Sequence, residues 1–399
     1  MQAELNIGLL GHVDHGKTSV TKALTGTWTD IHSMEIKRGI SIKLGYADSV
    51  FKKCKKCDGT EAYTRKDKCK CGNGEFEVLR KVSFVDAPGH ETLMATVIAG
   101  SSIIDGALLI IAANEQCPQP QTKEHKMLLE AVGIKKVIIV QNKIDLVTPE
   151  KCEENYNQIK EFLSDSMYKD APIIPISANY EANIDALIEA IEKYIPTPDR
   201  DDSKEPIVYI ARSFDVNKPG TDIPKLVGGV VGGSLIQGKL KVGDEIEIRP
   251  GLSKSEKAPP EPITSKIIGL YEGKESFEEV RPGGLIAIST QLDPAITKAN
   301  GLVGNVLGLP GKLPNAINEI NLEFTLLDRV DFDNPGIHQN EILVINVGTT
   351  TNIGVVDKVK KGKMYIRLKH PICAVPGSIV ALSRKIGQRW RLCGKGKLI

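Results

Sequence analysis

The segment Leu5–Thr18 reads LNIGLLGHVDHGKT, and it decides the fold of the first half of the chain. An apolar run leads into Gly11–Thr18, which fits the pattern G-x-x-x-x-G-K-[ST]. A helical pattern starts at Lys17, so the motif has the strand before it and the helix after it that a phosphate-binding loop requires. A glycine turn that matches by chance is the alternative, and these flanks make it the poorer interpretation.

The phosphate-binding loop predicts a bound nucleotide and a metal ion. Its glycines let backbone N–H groups turn inward around the phosphates. Lys17 is expected to neutralise the β- and γ-phosphates, and the Thr18 hydroxyl can ligate Mg²⁺. The candidate nucleotide-binding residues of the loop are Asp14, His15, Gly16, Lys17, Thr18 and Ser19.

A second motif follows the apolar run VSFV and reads Asp86-Ala87-Pro88-Gly89. An acidic residue in that place can hold Mg²⁺ through water, and Asp86 is the candidate. The Gly89 N–H can meet the γ-phosphate, so the position of Gly89 can report whether that phosphate is present.

Two further motifs predict that the base is guanine, and therefore that the ligand is GTP or GDP. Asn142-Lys143-Ile144-Asp145 follows the run KKVIIVQ, and Ser177-Ala178 follows APIIPI. The Asp145 carboxylate can accept from N1–H and N2–H₂ of guanine, whereas adenine offers neither donor in that arrangement. A backbone N–H at Ser177-Ala178 can donate to the guanine O6. Taken in this order, each motif lies at the carboxyl end of a strand, where open α/β sheets bind ligands.

The chain as a whole is predicted to be an α/β P-loop GTPase domain followed by two β-barrel domains. Near-continuous apolar runs alternate with helical patterns up to about residue 200, which indicates a parallel sheet covered on both faces. The charged, proline-flanked segment Pro196–Pro206 is a linker. Alternating, glycine-rich runs follow, with a second joint at Leu307–Pro314, and they favour small barrels. The expected domains are residues 1–203, 204–313 and 314–399.

Four cysteines form a cluster within an insertion that spans about residues 51–75. Cys54-x₂-Cys57 and Cys69-x-Cys71 place four thiols within eighteen residues. Four thiolates satisfy tetrahedral Zn²⁺ without an open position, so a zinc site here would be structural. Reduced free thiols, or a disulfide formed as a preparation ages, are the alternatives.

Composition and charge restrict the class of protein. Lys plus Arg number 52 and Asp plus Glu number 50, which argues against a nonspecific nucleic-acid coat but leaves room for a local basic surface. The apolar stretch Ala95–Ala113 carries Ser101, Ser102 and Asp105, and a charge there is costly in a bilayer. No targeting segment is visible, so we expect a cytoplasmic protein without a membrane partner.

The chain resembles the translational GTPases, and its order of GTPase domain and two barrels is similar to that of elongation factor Tu. More narrowly, it resembles the gamma-subunit family of archaeal and eukaryotic translation initiation factor two. The residues that carry this match are the cysteine cluster, TGTWTDIHSMEIKRGISIKLGYAD (25–48) and VSFVDAPGHETLMATVIAGSSIIDGALLIIAANEQCPQPQTKEH (82–125). The resemblance covers essentially the whole chain and is most specific in residues 1–200.

The resemblance implies two further residues at the nucleotide. A switch hydroxyl ligates Mg²⁺ in the GTP state, and Ser41 takes that place where the family usually has Thr. Ser keeps the ligand oxygen but lacks the β-branch that stiffens χ1. His90, which follows Asp-Ala-Pro-Gly, is implied to orient the attacking water as the catalytic residue; a solvent-facing histidine in a loop is the alternative. The family's second cysteine pair is usually C-x-x-C, whereas here it is Cys69-Lys70-Cys71.

The resemblance also implies a tRNA whose aminoacyl end lies between the GTPase domain and the first barrel. Tyr46, Arg212 and Gly228 are the candidate contacts. Gly228 opens GGVVGG, whose glycines would let backbone approach a ligand closely, or could equally form bends of the barrel.

The implied function is GTP-dependent delivery of methionylated initiator tRNA to the small ribosomal subunit, with hydrolysis of GTP. The implied partners are the alpha and beta subunits of the same factor. An elongation-type aminoacyl-tRNA carrier, a regulatory GTPase subunit of a metabolic enzyme and a nucleotide-bound scaffold without useful turnover are the alternatives. A selenocysteine-specific carrier is a further alternative, although such carriers usually have an extra C-terminal domain.

Overall fold

The computed structural model describes residues 1–29, 44–72, 74–90, 94–253, 258–329 and 332–399. These residues form two compact units, one of Met1 with Ala3–Pro198 and one of Gln2 with Asp199–Ile399. The division falls within the predicted linker. Among the helices of the described residues, none has the length and apolar character that crossing a membrane requires.

The first unit is built on a seven-stranded sheet in the order β3-β2-β4-β1-β5-β6-β7. Strands β1, β4, β5, β6 and β7 run parallel, whereas β2 pairs antiparallel with β4 and with β3. The strands are β1 (Leu5–Gly11), β2 (Gly45–Cys54), β3 (Tyr63–Thr64), β4 (Phe76–Asp86), β5 (Gly106–Ala112), β6 (Val137–Asn142) and β7 (Ile173–Pro175).

Helices connect these strands, and their bounds follow the apolar periodicity of the sequence closely. Strands β1, β5 and β6 are buried along their whole length, as expected for a sheet covered on both faces. The helices are α1 (Lys17–Thr25), α2 (Met94–Ser101), α3 (Pro120–Val132), α4 (Pro149–Leu163) and α5 (Ile184–Tyr194). A core of Leu, Ile and Val side chains joins α1 and α5 to β1, β5 and β6.

The second unit contains two closed barrels of six strands each. In the first, the order β11-β16-β8-β9-β15-β12 closes through pairing of β11 with β12, and β13 extends β12 as a hairpin. Its strands are β8 (Ile207–Phe214), β9 (Val230–Gln237), β11 (Glu245–Leu252), β12 (Glu261–Glu272), β13 (Glu275–Phe277), β15 (Ile286–Thr290) and β16 (Val306–Gly308). The short strands β10 (Leu240–Lys241) and β14 (Glu279–Val280) pair with each other, and helix α6 spans Pro294–Thr297.

The second barrel closes in the order β17-β20-β19-β18-β21-β22. Alternate side chains of these strands point into an apolar core that includes Ile320, Val356 and Leu382. Its strands are β17 (Ala316–Leu326), β18 (Ile342–Val347), β19 (Thr350–Lys360), β20 (Lys363–Cys373), β21 (Ile379–Ile386) and β22 (Arg389–Leu398). The fold class is therefore the one that the sequence predicted.

Candidate nucleotide-binding site

The sequence motifs for nucleotide binding meet at one edge of the first sheet. Strand β1 ends at Gly11, β4 ends at Asp86 and β6 ends at Asn142, and the parallel register brings these carboxyl ends together. The register pairs Leu9 with Asp86, and Ala112 with Asn142. Open α/β sheets bind ligands at this edge.

The loop after β1 has the backbone conformation of a phosphate cradle. Asp14 and Gly16 have φ values of 60° and 90°, in the left-handed region, and Gly16 precedes the first residue of α1. Lys17 donates from Nζ to the backbone carbonyls of Gly11 at 3.1 Å and His12 at 2.7 Å. Its ammonium group is thus held over the loop, where phosphate oxygens would meet it.

Asn142 connects the phosphate loop with the loop predicted to contact guanine. Its Nδ2 donates to the carbonyl of His15 at 2.9 Å, and its Oδ1 accepts from the Ala178 N–H at 3.1 Å. The side chain is buried, and a Cβ at Gly16 would lie 2.4 Å from its Nδ2. Glycine at position 16 is therefore required both by its φ and by this close approach.

Two of the three side chains predicted to hold Mg²⁺, Thr18 at the start of α1 and Asp86 at the end of β4, lie together. Thr18 donates from its hydroxyl to Oδ2 of Asp86 at 2.8 Å, and Asp86 is 1% exposed. Thr29, which the sequence reasoning did not select, donates to the same oxygen at 2.7 Å. Hydroxyl and carboxylate oxygens at this spacing are a ligand set that suits Mg²⁺.

Gly89 packs directly against the phosphate loop. A Cβ at this residue would lie 2.4 Å from Lys17 Nζ and 3.0 Å from the Val13 nitrogen. A larger residue here would have to displace the lysine ammonium and crowd the backbone of the loop. Gly89 therefore lies against the phosphate loop, beside the lysine that the sequence assigns to the phosphates.

The remaining predicted residues differ in what the structure describes of them. Asp145 is exposed in a short 3₁₀ turn beside Lys143, whose φ is 64°. Ser177 is buried and begins the loop 177–182, which we call the guanine loop after its predicted contact. Ser19 is half-buried on α1. His90 is exposed. Ser41 lies outside the described residues.

A buried histidine that the sequence reasoning missed accepts a hydrogen bond from the first residue of the phosphate loop. The Gly11 N–H donates to Nδ1 of His125 on α3 at 2.8 Å. His125 is fully buried, and burial, with Lys17 close by, lowers its pKa to about 3. The ring is therefore neutral at physiological pH and accepts at Nδ1. Only its place in the motif QTKEH could have marked it in the sequence.

The four cysteines of the insertion converge as the zinc prediction requires. Their sulfur atoms all lie within 4.8 Å of one another, and those of Cys54 and Cys71 are 3.7 Å apart. Tetrahedral Zn²⁺ with Zn–S bonds of about 2.3 Å puts its sulfurs about 3.8 Å apart. The Cys69 and Cys71 sulfurs lie closer, at 2.8 Å, which reflects the short C-x-C spacing.

The surroundings of the cluster also fit a bound cation. The hydrogen bond between Cys69 and Cys71 lowers the pKa of Cys69 to about 7 and raises the pKa of Cys71, so Cys69 loses its proton more readily than Cys71. A Cβ at Gly74 would lie 2.4 Å from the Cys54 sulfur and 2.5 Å from the Cys69 sulfur. The chain passes so close to the sulfurs that a glycine is needed there.

The residues predicted to contact tRNA lie in both units. Tyr46 is half-buried on β2, and Arg212 is half-buried on β8 opposite Gly232. A Cβ at Gly228 would lie 1.9 Å from the Thr290 carbonyl oxygen, within the first barrel itself. Internal packing therefore accounts for Gly228, which favours the interpretation of GGVVGG as barrel bends.

Three family models match the chain and cover most of its length. Residues 2–197 match the elongation factor Tu GTP binding domain, residues 228–307 match elongation factor Tu domain 2, and residues 318–398 match the model described as initiation factor eIF2 gamma, C terminal. Together with the nucleotide edge and the two closed barrels, they define a translational GTPase, an enzyme that hydrolyses GTP.

Curated relatives show to which family of translational GTPases the chain belongs. Translation initiation factor 2 subunit gamma of Methanococcus maripaludis strain S2 is 55% identical, and the match covers 100% of this chain and 99% of the relative. The subunits of the same name from Methanocaldococcus jannaschii and Pyrococcus furiosus are 56% and 54% identical, over 100% and 99% of this chain and 98% and 97% of their own lengths. The chain belongs to the family of translation initiation factor 2 gamma subunits.

Solved structures with the same fold carry other names. A bacterial selenocysteine-specific elongation factor, EF-Sec, superposes with a TM-score of 0.76 at 23% identity, covering 99% of this chain and 58% of that one. The elongation factor SelB from Methanococcus maripaludis, in complex with the GTP analogue GppNHp, gives 0.74 at 23% identity, over 100% and 79%. At this identity the likeness concerns the fold alone.

Proposed function

We propose that this chain carries methionylated initiator tRNA to the small ribosomal subunit in its GTP-bound form and hydrolyses GTP there. The GTPase domain alone would fit any translational GTPase. The observation that carries the narrower proposal is the match of residues 318–398 to the eIF2 gamma C-terminal family, joined to identities of 54–56% over nearly the full chain.

The γ-phosphate is the proposed signal between nucleotide and tRNA. Lys17 and the Gly89 N–H bind it from the phosphate loop and the segment after β4. Thr18, Asp86 and Ser41 would hold Mg²⁺, which would supply positive charge to the phosphates. The position of Gly89 then depends on the nucleotide, as in other GTPase switches.

His90 is the proposed catalytic residue. It follows Gly89 directly and is exposed, so its side chain is accessible to a water molecule near the terminal phosphate. Phosphoryl transfer depends mainly on positioning and electrostatics, which an imidazole beside the attacking water supplies. Asp145 and a backbone N–H at Ser177-Ala178 are proposed to read guanine, with Asn142, whose Oδ1 accepts from the Ala178 N–H, holding the two loops together.

The proposed partners and cofactors follow from the same assignment. The chain works in the cytoplasm with the alpha and beta subunits of the factor, binds GTP or GDP with Mg²⁺, and holds structural Zn²⁺ at the four cysteines. Tyr46, Arg212 and Gly228 remain candidate tRNA contacts. The functional domains are residues 1–203, 204–313 and 314–399.

The test is a titration of methionylated initiator tRNA, uncharged initiator tRNA and a charged elongator tRNA against the GTP-analogue and GDP forms. A parallel series contains the alpha subunit. A nucleotide shifts tRNA affinity only by its differential affinity for the two states. We expect charged initiator tRNA to bind the GTP form roughly 5–150-fold more tightly, the range of a typical allosteric coupling.

The controls separate this function from its alternatives. Bound tRNA should tighten the GTP analogue by the same factor, because coupling between two sites is reciprocal. Equal binding of charged initiator and elongator in every state would replace the proposal with an elongation-type carrier. Absence of tRNA binding in any state would favour a regulatory GTPase subunit.

A further inference from the structure

Arg65 links the cysteine-bearing insertion to two elements of the nucleotide site. It lies directly after β3, and its Nε donates to the carbonyl of Ala23 in the last turn of α1 at 2.6 Å. Its Nη2 donates to Oε1 of Glu181 at 3.1 Å. One guanidinium group therefore contacts the helix whose first turn binds phosphate and the loop that follows the guanine contacts.

The end of α1 is shaped to receive this guanidinium. Gly26 ends the helix with a φ of 80°, and a Cβ there would lie 3.1 Å from Nη1 of Arg65. The Arg65 side chain is 20% exposed, so it is partly withdrawn from solvent. A cation at the carboxyl end of a helix also interacts favourably with the helix dipole. The planar guanidinium of arginine donates to the Ala23 carbonyl and the Glu181 carboxylate at once, whereas the single ammonium of a lysine is less suited to two acceptors.

Glu181 adopts a backbone conformation that needs support from its neighbours. Its φ is 51°, in the left-handed region, which residues other than glycine adopt at an energetic cost. Lys66 as well as Arg65 forms an ion pair with its carboxylate. The hydrogen bond from Lys66, with Arg65 close by, lowers the pKa of Glu181 and keeps it charged.

The Glu181 loop is continuous with the residues proposed to read guanine. Ser177 and Ala182 exchange backbone hydrogen bonds at 3.0 and 3.2 Å, and the Glu181 N–H donates to the Ala178 carbonyl at 3.4 Å. The loop is thus a small closed turn with Ala178 at one side and Glu181 at the other. Movement of Glu181 would therefore shift the turn that carries Ala178, whose N–H donates to Oδ1 of Asn142.

We propose that Arg65 and Glu181 are positioning residues that hold the guanine loop against α1, and that the cysteine cluster prolongs nucleotide binding by fixing the segment that carries Arg65. The inference rests on the proposed guanine contacts and is independent of the proposed tRNA. A second contact between the insertion and the rest of the first unit supports it: Lys70, between Cys69 and Cys71, donates to Oδ2 of Asp185 on α5 at 2.9 Å.

The experiment measures the dissociation rate of fluorescent GDP from the full chain by displacement with unlabelled GDP. The variants are Arg65→Ala, Glu181→Ala and the double variant, with Arg65→Lys as a milder change that keeps the charge. Lys68→Ala is the matched control, because Lys68 is an exposed cation of the same segment. Thermal unfolding of each variant is followed in parallel.

We expect each single alanine variant to release GDP about tenfold faster, the effect of losing a charge-assisted hydrogen bond. The double variant should be faster by less than the sum of the two single effects, because both changes remove the shared Arg65–Glu181 pair and only the bonds to Ala23 and Lys66 are lost separately. The GDP dissociation rate of Arg65→Lys should lie between those of the wild type and Arg65→Ala, and the rate of Lys68→Ala should equal that of the wild type. Additive effects, or unchanged rates in Arg65→Ala and Glu181→Ala, would overturn the positioning role.

A second arm tests the part played by the cysteines. Removal of zinc with a zinc-selective chelator, under reducing conditions and with Mg²⁺ kept in excess, should raise the GDP dissociation rate of the wild type toward that of Arg65→Ala and leave Arg65→Ala unchanged. An equal acceleration of both proteins would show that the cysteines act by another route. Since no tRNA is present, failure here and failure of the proposed tRNA function are told apart.

Discussion

The side-chain amide of Asn142 donates to the backbone carbonyl of His15 at 2.9 Å, across 127 residues of sequence. The same side chain accepts from the Ala178 N–H. Two loops from different strands are therefore held in register by one buried amide. Because this amide joins the two loops directly, we expect the guanine and phosphate contacts to depend on it.

Replacing Asn142 with alanine should impair nucleotide binding as well as stability. The change leaves the His15 carbonyl and the Ala178 N–H without this partner, and each buried polar group so left costs about 1–3 kcal/mol. We expect GDP affinity to fall at least about tenfold. Calorimetric titration with GDP checks it, with Asn179→Ala, an exposed neighbour of the loop, as the control. Equal affinity of Asn142→Ala and wild type would contradict the bridging role.

Asp145→Asn should change the base preference. Xanthine carries a carbonyl where guanine carries N2–H₂, so an amide in place of the carboxylate suits xanthosine triphosphate better. We expect GTP affinity to drop by about 100-fold or more, since a site built for such hydrogen bonds discriminates strongly. Competition binding of GTP and xanthosine triphosphate measures it. A variant that keeps the wild-type preference for GTP would show that another residue reads the base.

His90→Ala should slow ribosome-stimulated hydrolysis by about 100-fold while leaving GTP affinity nearly unchanged. A group that orients water acts mainly in the transition state, and acid–base and positioning groups contribute factors of this size. Single-turnover hydrolysis and equilibrium binding give the two quantities. His338→Ala, an exposed histidine of the second unit, is the control. A parallel loss of affinity and rate would indicate a structural role for His90.

Local pattern was sufficient for the fold and for most of the nucleotide edge, because each motif adjoins the strand that presents it. It was insufficient for contacts between distant segments. Nothing near Arg65 in the sequence indicates that it reaches Glu181, and only the motif QTKEH distinguishes His125 from any other helical histidine. The glycines of GGVVGG were ambiguous for the same reason: whether Gly228 faces a ligand or Thr290 is decided by packing of strands far apart in the chain.

The cysteine cluster should bind about one zinc per chain in freshly reduced protein. Gly74→Ala should lower the bound zinc, because its methyl group would collide with the Cys54 and Cys69 sulfurs. Metal analysis after desalting checks both expectations, and Glu75→Ala, an exposed neighbour, should bind as the wild type does. Zinc-free protein with all four thiols open to alkylation would rule out the metal site.

The buried His125 should make the first unit less stable as the pH falls. Its pKa is about 3 in the folded chain and about 6.5 in an unfolded one, so between these values the unfolded state binds the extra proton. The stabilisation is complete above about pH 6.5 and is lost progressively toward pH 3, at up to about 1.4 kcal/mol per pH unit. His15, whose pKa burial also lowers, adds to the same trend.

His125→Asn removes this titration while its Oδ1 can still accept from the Gly11 N–H. We expect the variant to be less stable at pH 7, since the smaller side chain leaves a cavity. Between pH 7 and pH 5, however, it should lose about 2 kcal/mol less free energy of unfolding than the wild type, because about one and a half pH units of proton uptake are gone. Denaturant unfolding measures both quantities.

The chain has two tryptophans, so in a Trp390→Phe background the fluorescence of Trp28 reports on the first unit alone. His338→Asn in the same background should leave the pH dependence of the first unit unchanged. Parallel losses in His125→Asn and wild type would mean that His125 is not the group that titrates.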